Sequence, residues 1–124
     1  MIQEDYLSFE TAKLLKEKGF DEPTLTIYRM FDDDLVDMIQ YNFALPNSEN
    51  GKSDFACPTL QMAMKWLREV HHLHITVFSS SQESWMYRIT KPHQTLEEGC
   101  YGEDYTSYEE ACDDAIKQCL TKLI

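Results

Sequence analysis

The sequence predicts an α+β fold in the order α-β-β-α-β-β-α, a mostly antiparallel sheet with helices packed on one face. Three observations carry this. Stretches with apolar residues three and four apart alternate with stretches of period two. The β-rich runs come in adjacent pairs joined by short polar turns, as hairpins do. Finally, 124 residues with 43% hydrophobic and 12% aromatic content suit one domain, residues 1–124, around one core, and exclude a wholly disordered chain.

The first helix is expected from Ser8 to Gly19. Ser8 suits the N-cap, and Phe9, Ala12, Leu15 and Lys16 share a side. Gly19 fits the left-handed residue that ends a helix, Phe20 can pack back on the last turn, and Pro23 blocks continuation. Thr24 to Phe31 is rich in β-formers, with Leu25, Ile27 and Phe31 on one face and Thr26, Tyr28 and Met30 on the other. Asp32-Asp33-Asp34 makes a turn, and Val36 to Phe43 returns as a strand through Ile39, Tyr41 and Phe43. Helical spacing of Leu35, Met38, Ile39 and Asn42 leaves a short helix as the alternative there; the aromatic and β-branched residues favour the hairpin. Pro46 to Ser53 reads as a loop.

The second helix is expected from about Pro58 to His71, burying Leu60, Ala63, Met64, Leu67 and Val70 with Trp66 at the border and Pro58 in the first turn. Leu73 to Ser80 and Ser84 to Lys91 form the second hairpin around Ser81-Gln82-Glu83, with Ile75, Val77 and Phe78 on one strand and Trp85, Tyr87 and Ile89 on the other. An acidic connection follows from Pro92 to about Thr106. Ser107-Tyr108-Glu109-Glu110 then forms a capping box, and Tyr108, Ala111, Cys112, Ala115, Ile116, Cys119 and Leu123 trace the apolar stripe of the last helix. Its early acids and later lysines complement the helix dipole.

Charge is unevenly distributed. With 22 acidic and 11 basic residues the formal net charge is -11. Residues 1–23 carry net -3, residues 24–56 net -4, residues 57–91 net +2 and residues 92–124 net -6; Glu97 to Asp114 holds eight acids and no base. Such a balance argues against direct binding to nucleic-acid backbones or to acidic membrane surfaces. The early acids of Met1 to Tyr6 are unlike a signal peptide, and no apolar run nears the ~20 residues that span a bilayer. Cys57, Cys100, Cys112 and Cys119 form no CxxC pair, and Cys112 and Cys119 share a helix face. Free buried thiols in the cytoplasm are the expectation.

Candidate sites follow from side-chain chemistry. His71, His72 and His74, with His93 beyond, carry imidazole nitrogens that could ligate zinc or nickel, His71 and His74 being the candidates; a favourable meeting with the helix dipole is the plainer account. Asp32, Asp33, Asp34 and Asp37 lack the glycine and the distant glutamate of a calcium loop. Cys100 or Cys57 with His93 could pair nucleophile and base, but nearby acids raise a thiol pKa, and only Cys57, ahead of a helix, has a placement that favours a thiolate. With four glycines and no phosphate-binding loop, GxSxG or HExxH sequence, no cofactor is expected. Trp66, Trp85 and Tyr87 could make an aromatic platform, but core packing is the stronger reading for most of them. The acidic connection and helix start offer the partner-binding set Glu97, Glu98, Tyr101, Glu103, Asp104, Tyr105, Glu109 and Asp113, with chemistry suited to a basic protein surface.

These segments together resemble a family. Ser8 to Asp21, Cys57-Pro58-Thr59 with Met64 to His71, Ile75-Thr76-Val77, and Ser107 to Ala111 are similar to small uncharacterised proteins of gut Bacteroidetes genomes and their phages or prophages. The resemblance covers both ends and the middle of the chain. It implies a single cytoplasmic domain and brings no activity, cofactor or catalytic residue with it. The leading expectation is a small non-enzymatic protein-interaction or accessory module of mobile-element origin. The alternatives are an acidic mimic of nucleic acid that occupies a basic host protein, and an enzyme or metal-binding protein using the His71, His74, His93 and Cys100 region. Homo-oligomerisation through exposed edge strands is also open.

Overall fold

The computed structural model describes residues 2–81, 84–92, 94–99 and 105–124. It is α+β with antiparallel sheets, as expected, but the strands form two three-stranded sheets rather than one. The chain divides into two compact units, residues 1–59 and 60–124.

The first unit begins with α1, Phe9–Glu17. The Ser8 hydroxyl accepts from the Thr11 amide, which satisfies one of the free donors of the first turn. At the other end Gly19 takes φ +90, the Gly19 amide donates to Lys16 O and the Phe20 amide to Leu15 O. That is a Schellman ending, and it turns Phe20 into the core. The strands are β1, Thr24–Asp32, β2, Leu35–Leu45, and β3, Asp54–Ala56, in the order β2-β1-β3 with β1 antiparallel to both. The helical alternative for residues 35–43 is therefore not realised. Asp34 N–H donates to Asp32 Oδ1 at 2.8 Å, closing the hairpin turn. Phe9 of α1 meets Tyr28 and Phe55 edge-on at 5.6 and 5.4 Å, so the helix covers the face those paired residues share. Leu7, Ala12, Leu15, Phe20, Ile27 and Ala56 complete the core.

The second unit begins with α2, Leu60–His71, two residues later than Pro58. The reason lies in residues 6–7: Tyr6 bridges Thr59 and the Leu7 amide donates to Pro58 O, which holds Pro58 and Thr59 extended. Val70, expected inside, is 52% exposed, and Trp66 is buried. The helix ends at His71 as expected; His72 then takes φ 57, and Leu73 folds back, donating its amide to Leu67 O, and is buried in place of Val70. Histidine is among the side chains that enter the left-handed region most readily.

Strands β4, His74–Ser81, β5, Ser84–Lys91, and β6, Gln94–Gly99, follow in the order β4-β5-β6. β6 replaces part of the expected acidic connection. Its residues have little intrinsic β preference, and pairing with the free edge of β5 supplies what their propensity lacks. α3, Tyr108–Gln118, lies over β4 and β5, is continued by a π turn at Cys119–Leu123, and also packs on α2. Ala111, Cys112, Ala115, Ile116 and Cys119 are fully buried, as their spacing requires, and so is Leu120. Of the capping box, Ser107 accepts from the Glu110 amide while the Glu110 carboxylate accepts from the Thr106 hydroxyl. No helix is long and apolar enough to cross a membrane, among the described residues.

Candidate functional site

His71 and His74, the candidate ligands, lie at the end of α2 and the start of β4. His71 packs edge-on against Trp66, and burial, then Lys91 and His72, lower its pKa. His74 is exposed on β4, and His93 lies outside the described residues. Among the described residues no three of His, Cys, Asp and Glu gather as metal ligands do. The three described thiols, Cys57, Cys112 and Cys119, are all buried. Burial pushes Cys112 up to about 11 and Cys119 up to about 12. Cys57, the placement expected to favour a thiolate, is buried with its thiol directed at Leu7 O, 3.8 Å away, and Cys100 lies outside the described residues.

The acidic partner set is spread over several elements. Glu97 and Glu98 belong to β6, at the register positions of Ile89 and Arg88. Tyr101, Glu103 and Asp104 lie outside the described residues. Tyr105 bridges Trp85 through both main-chain groups, and its hydroxyl donates to Asp114. Burial, then that bond, raises its pKa. Glu109 is exposed on the first turn of α3 and Asp113 is half-buried. Of the expected aromatic platform, Trp66 and Tyr87 are core residues, while Trp85 is half-buried against Tyr108.

Of the nine large apolar side chains exposed among the described residues, five lie on the first hairpin, which the composition of the chain did not single out. β2 runs for eleven residues without one buried side chain, and Leu35, Met38 and Phe43 are 49%, 48% and 56% exposed. Phe31 and Leu25 on β1 are exposed as well, and the register sets Met38, opposite Tyr28, on the other face of the sheet from Asp37, opposite Arg29. Phe43 stacks parallel on Tyr41 with centroids 5.4 Å apart. Arg29 fixes the stack from below: Nε and Nη2 donate to the two carboxylate oxygens of Asp54 at 2.8 and 3.0 Å, and Nη2 also donates to Tyr41 Oη. This fork ties β3, β1 and β2 together, and Asp54 with Tyr41 holds the guanidinium firmly protonated. Arg29 is thereby spent inside the sheet. The remaining charges of the hairpin are Asp32, Asp33, Asp34 and Asp37, all exposed.

The two edges of this sheet are treated differently. Met30 N–H donates to Ser53 O and Cys57 N–H to Thr26 O, so the even residues of β1 turn their peptide groups toward β3. Ile27 and Arg29 therefore turn theirs toward β2, whose paired Ile39 and Asp37 point inward. On β3 three outward groups are closed: Asp54 N–H donates to Gly51 O, Asp54 O accepts from Lys16 Nζ at 2.7 Å, and Ala56 N–H donates to Asn47 Oδ1 at 2.9 Å. On β2 the same alternation turns Val36, Met38 and Gln40 outward, and among the described residues nothing bonds their main-chain groups. Such open edges are templates for pairing with another chain. Asparagine and lysine at 47 and 16 gave no hint of an edge-capping role, because the partner groups are main-chain atoms far away in sequence.

Comparison of the chain with protein families, curated proteins and solved structures finds no match.

Proposed function

We propose that this protein is a non-enzymatic protein-interaction module that works through its first hairpin. The single observation that carries the reading is the eleven-residue edge strand β2, with no buried side chain, apolar side chains at the surface and main-chain groups at Val36, Met38 and Gln40 that nothing bonds among the described residues. Surface strands of soluble proteins are ordinarily blunted by charge, bulges or a covering element, and the other edge of this same sheet is closed in that way. Burial and the raised thiol pKa values of Cys112 and Cys119 support the same reading, since neither thiol is suited to act as a nucleophile. An accessory role in a mobile element fits the sequence resemblance. The test is site-specific photo-crosslinking in cells, with the crosslinker at Met38 or Phe43 and, for comparison, at Met62, exposed on the second unit. Discrete adducts unique to the hairpin positions are expected. Adducts that are absent, or the same at all three positions, would overturn the proposal.

A further inference from the structure

Resting on that reading, we infer that the occupant of the β2 edge is an extended basic segment of another protein, added as a fourth strand along Val36 to Gln40. The length follows from the ladder. Pairing of β2 with β1 is regular from Val36 to Gln40 and shifts register at both ends, between Met30 and Asp32 and between Thr24 and Thr26. Only this stretch presents evenly spaced outward peptide groups, those of Val36, Met38 and Gln40, so the added strand spans about five residues.

Its character follows from charge. Arg29 is neutralised by Asp54, which leaves Asp37 on the strand and Asp32, Asp33 and Asp34 at the hairpin tip, all exposed and negative. Residues 1–59 hold 12 acids and 5 bases, net -7. A second copy of the chain would bring another such unit to the same edge, whereas Lys or Arg at alternate positions of a partner strand would meet Asp37 and the tip. Apolar residues at the intervening positions would lie beside Met38 and Val36. Main-chain bonds would supply affinity and the carboxylates the choice of partner.

The experiment uses the full chain and two capped six-residue probes of alternating valine, one with lysine and one with glutamate. Amide shifts and hydrogen exchange at Val36, Met38 and Gln40 are followed by NMR at low and high salt. The lysine probe should shift and protect these three amides, weakly at high salt, and the glutamate probe should leave them unchanged. Met38→Pro deletes an outward N–H without touching the β1–β2 ladder, since proline is tolerated on an edge strand with its nitrogen toward solvent. It should weaken the lysine probe by about five- to tenfold, the worth of one main-chain hydrogen bond. Should that variant misfold, Asp37→Lys serves instead, with loss of the salt dependence expected. Equal binding of both probes would overturn the basic partner while leaving an open binding edge. Binding of neither would overturn the strand-addition inference. Protection of the three amides by self-association, with a dimer in sedimentation that Met38→Pro dissolves, would replace the proposed occupant by a second copy.

Discussion

Replacing Asn47 by alanine tests the edge-closing role of that side chain. Asn47 is 7% exposed and makes two bonds across the first unit: Nδ2 donates to Phe20 O at 2.8 Å, and Oδ1 accepts from Ala56 N–H at 2.9 Å. Phe20 and Ala56 are themselves buried, at 1% and 0% exposure, so water does not readily take over either bond. A buried polar group left without a partner costs about 1–3 kcal/mol. With both ends orphaned, Asn47→Ala should cost roughly 2–5 kcal/mol, a severe loss for a marginally stable protein. Both tryptophans, Trp66 and Trp85, lie in the second unit, so their fluorescence is the wrong probe. Amide hydrogen exchange read by NMR is the right one. Protection of the slowest amides of residues 1–59 should fall between about 30-fold and a few thousandfold, at 1.4 kcal/mol per tenfold. Asn47→Asp separates the two bonds: it keeps the acceptor for Ala56 and loses the donor to Phe20, so Ala56 should stay the better protected of the pair. Ser48→Ala, at an exposed neighbour, is the control and should change protection by less than about threefold, the ±0.5 kcal/mol of an ordinary surface substitution. If Asn47→Ala behaves like Ser48→Ala, the edge is closed by something other than this side chain.

Three further outcomes can be checked. Burial lowers the pKa of His71 from its ordinary 6.5, and Nε2 is out of water without a bonding partner among the described residues. The unfolded chain thus takes up a proton before the folded one does, and the second unit should lose stability as the pH falls from about 7 through 6.5 toward the folded value. Chemical unfolding followed by Trp66 and Trp85 fluorescence at pH 7.5 and 5.5 should show this, and His71→Phe should flatten it; an unchanged pH dependence in that variant would assign the effect elsewhere. Cys112 and Cys119, both wholly buried with raised pKa values, should resist a thiol reagent at pH 8 until denaturant is added, and prompt labelling of either by mass spectrometry would contradict the packing of α3. Gly19→Ala should lower the stability of the first unit by about 1 kcal/mol, because φ +90 is strained for a side chain although a Cβ there meets nothing within 4 Å; hydrogen exchange of Phe20 reads it, and a neutral effect would mean that α1 ends some other way.

What could be read from residues alone was whatever depends on near neighbours. Ser8, Gly19 and Phe20 specified both ends of α1 because a cap and a Schellman turn involve groups at most five residues apart. The stripe from Ala111 to Cys119 specified the buried face of α3, since 3.6-residue periodicity leaves no other choice. The Asp32–Asp34 turn with its flanking β-formers specified the first hairpin for the same reason. The later misses share a different cause. β3 has three residues and β6 has weak β-formers, so each exists only because a longer strand offers an edge to pair with. Val70 has the spacing of a core residue, yet the left-handed turn at His72 brings Leu73 into the space instead. The division into two sheets, and the contrast between an edge closed by Lys16 and Asn47 and an edge left open at Val36, Met38 and Gln40, depend on bonds that span 9 residues for Asn47 to Ala56 and 38 for Lys16 to Asp54. Local pattern determined which elements this chain makes. Tertiary pairing alone decided which main-chain groups those elements leave free, because a strand's hydrogen bonds are satisfied by whatever segment folding brings alongside it.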